Sequence, residues 1–108
     1  MTTTIAPPAY HRTLGDIRSL RHSGLFSNAH EAMLALVLFD AGEPVKMSEA
    51  AKTISISRAA MTSMVDRFEL LEIAKRVGGE KDRRCTYLAL TESGVTKVYN
   101  ALETGWED

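Results

Sequence analysis

The sequence predicts a mainly α protein of the α+β class, with five helices and one two-stranded antiparallel hairpin. Helical periodicity recurs along most of the chain, and two of the helical segments are separated by a tight polar turn at residues 55–57. Alternating residues flanking a basic, glycine-containing loop follow at residues 73–90. A chain of 108 residues, 44% hydrophobic and 25% charged, has the size of one domain and an ordinary globular composition.

The N-terminal region begins with a small polar segment, residues 1–8, that ends in two prolines, and we expect it to be a flexible arm. Residues 9–108 form the single predicted domain. A first helix is expected from about Ala9 to His22, with apolar positions at Leu14, Ile17 and Leu20. Its apolar stripe is narrow, which favours packing across a partner subunit.

The second helix is predicted over Ala29–Ala41, with Gly42 as its C-terminal stop. Asn28 and Glu31 have the spacing of a reciprocal capping box. The helix is apolar on most sides, so it should form the buried centre of the domain; the residues are Met33, Leu34, Leu36, Val37, Leu38 and Phe39.

The next two helices form a helix-turn-helix pattern. Residues 44–46 are too short for more than a brief extended segment, and Ser48 is the expected N-cap of a short helix through Ile54. Ser57 is the expected cap of a longer helix from Arg58 to about Leu71. The apolar face of that helix has helical spacing, at Ala60, Met61, Met64, Val65, Phe68 and Leu71.

Two antiparallel strands are expected at Ile73–Val77 and Cys85–Leu90, joined by the long loop 78–84. Thr91 then caps a last helix from Glu92 to about Leu102. A helix-turn-helix followed by such a hairpin has the layout of a winged helix-turn-helix with a two-stranded wing.

This layout predicts binding to duplex DNA, because the second helix of a helix-turn-helix enters the major groove. We expect base or phosphate contacts at the polar start of that helix, from Ser57, Arg58, Thr62 and Ser63. Arg67, further along, is interpreted as a phosphate contact or a surface ion-pair partner.

The wing supplies the second expected contact. The net charge of −1 argues mildly against a nucleic-acid partner, but basic residues are concentrated between residues 75 and 84. We expect Lys75 and Arg76 to contact phosphates, and the tip to lie over a phosphate ridge or in the minor groove through Lys81, Arg83 and Arg84. Asp82 is interpreted as orienting Arg83 or Arg84 by a charge-assisted hydrogen bond.

At these residues the chain resembles the MarR-type winged-helix family of bacterial transcription regulators. The resemblance covers roughly residues 28–98 and rests on the polar helix start at 57–71, the segment 74–77, the wing motif 82–84 and Leu90-Thr91-Glu92-Ser93-Gly94. It implies a homodimeric repressor that binds a near-palindromic operator. It also implies major-groove readout by the helix start and minor-groove entry by Arg84. Small phenolic effectors or oxidation release many family members from DNA.

The chain departs from the family pattern in two places. Residues 92–108 suffice for one helix, whereas the family usually ends in two longer helices that form the dimer interface and border the ligand pocket. Glu72 stands where the family often has a glycine that ends the recognition helix.

The sequence supports no enzyme, no cofactor and no metal site, since it has no nucleophile with a matched base and the histidines lack ligand spacing. A single cysteine, Cys85, suits a reducing compartment, and without a secretory signal or membrane span we expect a cytoplasmic protein. Cys85 is either a redox switch or a small residue that fills a strand position. Two other functions stay open: a DNA-binding role in plasmid or phage segregation or replication, and a winged helix that docks a protein.

Overall fold

The computed structural model describes residues 8–78 and 85–104, which form five helices and a three-stranded antiparallel sheet. The elements in chain order are α1 (Pro8–His22), α2 (Ala29–Ala41), β1 (Val45–Lys46), α3 (Met47–Thr53), α4 (Arg58–Leu70), β2 (Ala74–Gly78), β3 (Thr86–Leu90) and α5 (Glu92–Thr104). The mainly α class and the winged helix-turn-helix layout are confirmed. The predicted arm, residues 1–8, lies outside the described residues except for Pro8.

Helix α2 is the centre of the core, as its composition predicts. Its buried apolar side chains pack with those of every other helix in one cluster, to which Phe26 and Phe68 contribute a ring pair with centroids 5.5 Å apart. Gly42 ends the helix in the left-handed region at φ 66°, a conformation that costs glycine little. This core fixes α4 from one side and leaves its opposite face to solvent.

The cap of α2 differs from the predicted capping box in its second half. The Asn28 side chain accepts a hydrogen bond from the Glu31 backbone N–H at 2.9 Å, as expected. The Glu31 carboxylate, however, accepts from the backbone N–H of Ser27 at 2.9 Å and from the Ser27 hydroxyl at 3.1 Å, one residue earlier than a capping box would have it.

The sheet has a strand that the sequence did not predict. Val45 pairs with Leu88 and Lys46 with Tyr87, so β1 lies beside β3 and the strand order is β1-β3-β2. The predicted two-stranded wing is present as β2 and β3, and β1 extends it to a three-stranded sheet. Because two residues carry no readable alternation, only the long-range pairing with β3 makes this segment a strand.

The helix-turn-helix is formed by α3 and α4, and its two predicted caps have different outcomes. Ser57 caps α4 by accepting a hydrogen bond from the Ala60 N–H at 3.1 Å, as predicted. Ser48 is not the cap of α3, because the helix already begins at Met47 and Lys46 occupies the cap position without a side-chain hydrogen bond. Pairing of β1 with β3 ends the strand at Lys46, so the chain turns into the helix two residues earlier than predicted.

A tight turn joins α4 to the wing and is held by the start of α5. Glu72 adopts φ 60°, the left-handed conformation for which the family uses glycine. The Thr91 hydroxyl donates to the Glu72 carbonyl at 2.7 Å, and the Thr91 N–H donates to the Ile73 carbonyl at 2.9 Å. Gly94 completes the contact, since a Cβ at that position would lie 1.9 Å from the Ile73 carbonyl oxygen. The Leu-Thr-x-x-Gly segment thus locks the recognition helix to the wing.

Candidate nucleic-acid interface

The start of α4 presents a polar face to solvent. Ser57, Arg58, Thr62 and Ser63 are all exposed. The buried positions of the same helix are Met61, Met64, Val65 and Phe68, which face the core. Helical geometry therefore brings the four residues predicted to contact the major groove to one accessible surface.

An open groove of about 650 Å³ runs beside this face, between the start of α4, the β1–α3 junction and the base of the wing. We call it the basic groove; its lining is Lys46, Met47, Ser48, Ala51, Arg58, Met61, Thr62, Arg76, Cys85 and Thr86. It brings the predicted residues Arg58, Thr62 and Arg76 together with Lys46, which the sequence reading missed. No local signal in the sequence marks Lys46, because only the β1–β3 pairing brings this lysine to the wing.

Arg76 is held by two carboxylates of α4. Its backbone N–H donates to Glu69 at 3.0 Å, and its guanidinium forms ion pairs with Glu69 and, at 2.9 Å, with Asp66. The hydrogen bond to Asp66 is the main cause that raises the pKa of Arg76 above its ordinary value, while partial burial opposes it. We name Asp66, Glu69 and Arg76 the wing clamp, because they fasten β2 to the recognition helix. A phosphate contact by Arg76 stays a prediction, and its guanidinium is already paired with two carboxylates.

Arg67 pairs with a buried acid of α2. Its Nε lies 2.9 Å from a carboxylate oxygen of Glu31, whose side chain is only 4% exposed, against 41% for Arg67. The Nε–H is not aligned for a hydrogen bond, so charge attraction dominates this contact. Of the two roles predicted for Arg67, the structure contains the ion pair, and the phosphate contact stays a prediction.

The remaining predicted contacts belong to the wing. Lys75 is exposed on β2. Lys81, Asp82, Arg83 and Arg84 lie outside the described residues, so their roles at the wing tip stay predictions.

Cys85 lies half-buried at the edge of the basic groove, next to Lys46. A hydrogen bond to Cys85 raises the pKa of Lys46 above its ordinary value, and the nearby Tyr87 and Glu49 act in the same direction. Lys46 is therefore a fully charged ammonium at neutral pH. Within residues 8–78 and 85–104 no cluster of histidine, cysteine and acidic side chains is arranged to hold a metal ion, and no helix there has the length and apolar character to cross a bilayer.

Solved structures give the comparison that identifies the architecture. MarR from E. coli in its apo form superposes with a TM-score of 0.70 at 21% identity, over 97% of this chain and 81% of that one. AbfR bound to DNA gives 0.65 at 19% identity, over 94% and 74% of the two chains. A ZitR variant from Lactococcus lactis gives 0.60 at 25% identity over 69% of this chain, which spans only 49% of the ZitR chain. No family model matches the sequence, and no curated protein is significantly similar to it.

The chain has the winged-helix fold of the MarR-type regulators. The resemblance read from the helix start, the wing motif and the Leu-Thr-x-x-Gly segment is thus confirmed. One structure with this fold is the transcriptional regulator PA4135, and another, AbfR, was solved bound to DNA.

Proposed function

We propose that this MarR-like protein binds duplex DNA sequence-specifically and controls transcription, acting as a repressor in the form of a homodimer. The observation that carries the proposal is the start of α4, where Ser57, Arg58, Thr62 and Ser63 are exposed. Two of them, Arg58 and Thr62, line the basic groove. A helix with small polar residues at its start approaches base edges closely in the major groove. The same fold occurs in AbfR, which was solved bound to DNA.

The proposed division of labour follows the charges around α4. Arg58 forms no ion pair within the described residues, and the hydroxyl groups of Thr62 and Ser63 belong to exposed residues. All three side chains are therefore available to bases and phosphates. Arg67 and Arg76 are engaged with acids and act chiefly by holding α4 and β2 in place. Positioning by phosphate contacts, with specificity from base contacts, is the usual arrangement in such interfaces.

The wing completes the proposed interface. Lys75 contacts the backbone from β2, and the tip carries Lys81, Arg83 and Arg84 into the minor groove, with Asp82 orienting an arginine. The wing clamp keeps β2 at a fixed angle to α4, so that helix and wing meet adjacent grooves without a prior rearrangement. Such preorganisation lowers the entropic cost of binding.

The homodimer is proposed from the family resemblance, which implies a near-palindromic operator that would present the same surface to each of two subunits. Val95 and Tyr99, one turn apart on α5, are 45% and 54% exposed, which is apolar area that a partner subunit could cover. Light scattering coupled to gel filtration measures the mass directly. We expect twice the mass of the 11.9 kDa chain at micromolar concentration, and a monomer there would refute the dimer.

Cys85 gives a direct test of where DNA binds, because it is the only cysteine and lines the basic groove. A duplex lying across α4 and the wing would cover this thiol. We expect maleimide labelling of Cys85 to slow markedly when a bound duplex is present, and free nucleotides at the same phosphate concentration to leave the rate unchanged. Equal rates with and without a duplex that the protein demonstrably binds would put the DNA elsewhere.

The repressor role needs a cellular test. A reporter gene placed behind the bound duplex should be expressed less when the protein is present, and Arg58→Ala should restore expression. Lys97→Ala is the matched control, because Lys97 is an exposed cation on α5, away from the groove. Increased expression with the wild-type protein would indicate an activator.

A further inference from the structure

A phosphate ridge must pass beside the recognition helix when a helix enters the major groove. The helix fills the groove, and the two sugar-phosphate backbones flank it. Beside α4 the structure has the basic groove, which is lined by Arg58 and Thr62 of α4 and by Lys46 and Ser48 at the β1–α3 junction. This inference rests on the proposed function and extends it to residues with no role assigned so far.

Lys46 has the features of a backbone contact. It directly precedes α3, the first helix of the helix-turn-helix, which in this motif crosses the DNA backbone. Pairing with Tyr87 in the sheet fixes its backbone at the groove, which its side chain lines together with that of Cys85. Lys46 forms no ion pair with a carboxylate within the described residues, unlike Arg76 at the other end of the groove.

Ser48 adds a neutral donor at the same edge. It is exposed in the first turn of α3 and lines the groove with Lys46. The residue that fails as a helix cap therefore keeps its hydroxyl available for an oxygen acceptor. A lysine and a hydroxyl side by side are common donors to phosphate oxygens.

We infer that Lys46 and Ser48, across the basic groove from Arg58, bind a backbone phosphate of the duplex beside the recognition helix. This contact fixes the register of α4 and adds affinity that does not depend on the base sequence. Lys46 supplies one phosphate ion pair, and Ser48 supplies an uncharged hydrogen bond.

The salt dependence of binding separates these two contributions. Each phosphate ion pair adds about 0.9 to the slope of log affinity against log salt. Losing one such contact therefore lowers affinity by about eightfold at 0.1 M salt. We expect Lys46→Ala to bind about eightfold more weakly at 0.1 M salt. Its slope of log affinity against log salt should be smaller by about 0.9, and both changes should be equal on a preferred and on a scrambled duplex. Ser48→Ala should lower affinity a few-fold with the slope unchanged, and Lys46→Arg should retain most of both affinity and slope.

The controls distinguish the failure of this inference from that of the proposed function. Anisotropy of a labelled duplex is first measured with the wild-type chain, and no binding at low salt would refute the proposed function itself. If the wild type binds and Lys46→Ala has the affinity and slope of Lys97→Ala, the inference is overturned. Thermal melting of each variant establishes that a lost affinity does not reflect a lost fold, and the retained slope of Lys46→Arg makes the same point independently.

Discussion

The contact between α5 and the turn after α4 predicts that Gly94→Ala destabilises the whole domain. A methyl group at Gly94 would lie 1.9 Å from the Ile73 carbonyl oxygen and 2.8 Å from its carbon, whereas ordinary contact begins near 3.4 Å. The opposing atoms belong to the backbone, so no side chain can rotate away. Helix α5 must move from the turn by about 1.5 Å, the difference between the 1.9 Å approach to the carbonyl oxygen and the ordinary contact distance of 3.4 Å.

The magnitude follows from three contributions. Overpacking of this kind costs about 1–3 kcal/mol. The displacement also weakens the hydrogen bond from the Thr91 N–H to Ile73, which contributes about 1 kcal/mol. Alanine is favoured over glycine inside a helix by about 1 kcal/mol, which offsets part of the loss. The net destabilisation is about 1–3 kcal/mol, a sizeable part of the ~5–15 kcal/mol that stabilises a domain of this class.

Thermal and urea unfolding followed by circular dichroism measure this effect. For a domain of this size, 1–3 kcal/mol corresponds to a fall in Tm of about 5–20 °C. Ser93→Ala is the matched control, because Ser93 is an exposed neighbour in the same helical turn and should change stability by less than about 0.5 kcal/mol. If Gly94→Ala and Ser93→Ala have the same Tm, the close packing of α5 on the turn is refuted.

Three further substitutions test other parts of the account. Glu72→Gly should raise the free energy of unfolding by about 0.5–1 kcal/mol, because it relieves a non-glycine residue at φ 60°; lower stability in urea unfolding would contradict this. Glu31→Gln should destabilise the domain by about 1–3 kcal/mol, since it removes the charge facing Arg67 and weakens the acceptor for the Ser27 N–H. An unchanged melting curve would show that the ion pair contributes nothing. Arg76→Ala should weaken DNA binding by more than about eightfold at 0.1 M salt, the loss expected for one phosphate contact, because it frees the wing and leaves two carboxylates of α4 without their cation. A smaller loss of affinity measured by anisotropy would argue against the clamp.

The helices could be predicted from the sequence because their signals are local. The bounds of α2 agree with the prediction at both ends, Ala29 and Ala41, since Asn28 and Gly42 mark them by side-chain capping and by backbone freedom. Ser57 as the cap of α4 follows from the same kind of signal. The strands of the hairpin differ from prediction by one residue at both starts and at the end of β2, where pairing decides the bounds.

Features that depend on distant partners could not be predicted. The strand β1 exists because Val45 and Lys46 meet β3 some 40 residues later in the chain. The start of α3, and with it the failure of Ser48 as a cap, follows from that pairing. Glu31 was assigned to a capping box, but its buried position between Ser27 and Arg67 gives its carboxylate other partners.

The candidate site likewise contains some residues that local signals predict and others that depend on distant partners. Which side of α4 is exposed follows from its apolar spacing, so Arg58, Thr62 and Ser63 were predicted together and lie together. The reading of Arg76 as a plain phosphate contact did not include the acids at Asp66 and Glu69, because nothing in their spacing reveals that β2 folds back beside α4. Lys46 was missed for the same reason.

Binding to duplex DNA is the central claim, and anisotropy of a labelled duplex tests it most directly. The duplex is taken from the DNA flanking the protein's own coding region, with a scrambled duplex of equal length and composition as control, at two salt concentrations. We predict tight binding that weakens steeply with salt and favours the native duplex, as major-groove readout by α4 requires. Absence of binding to either duplex at low salt would contradict the account and direct attention to protein partners of the same surface.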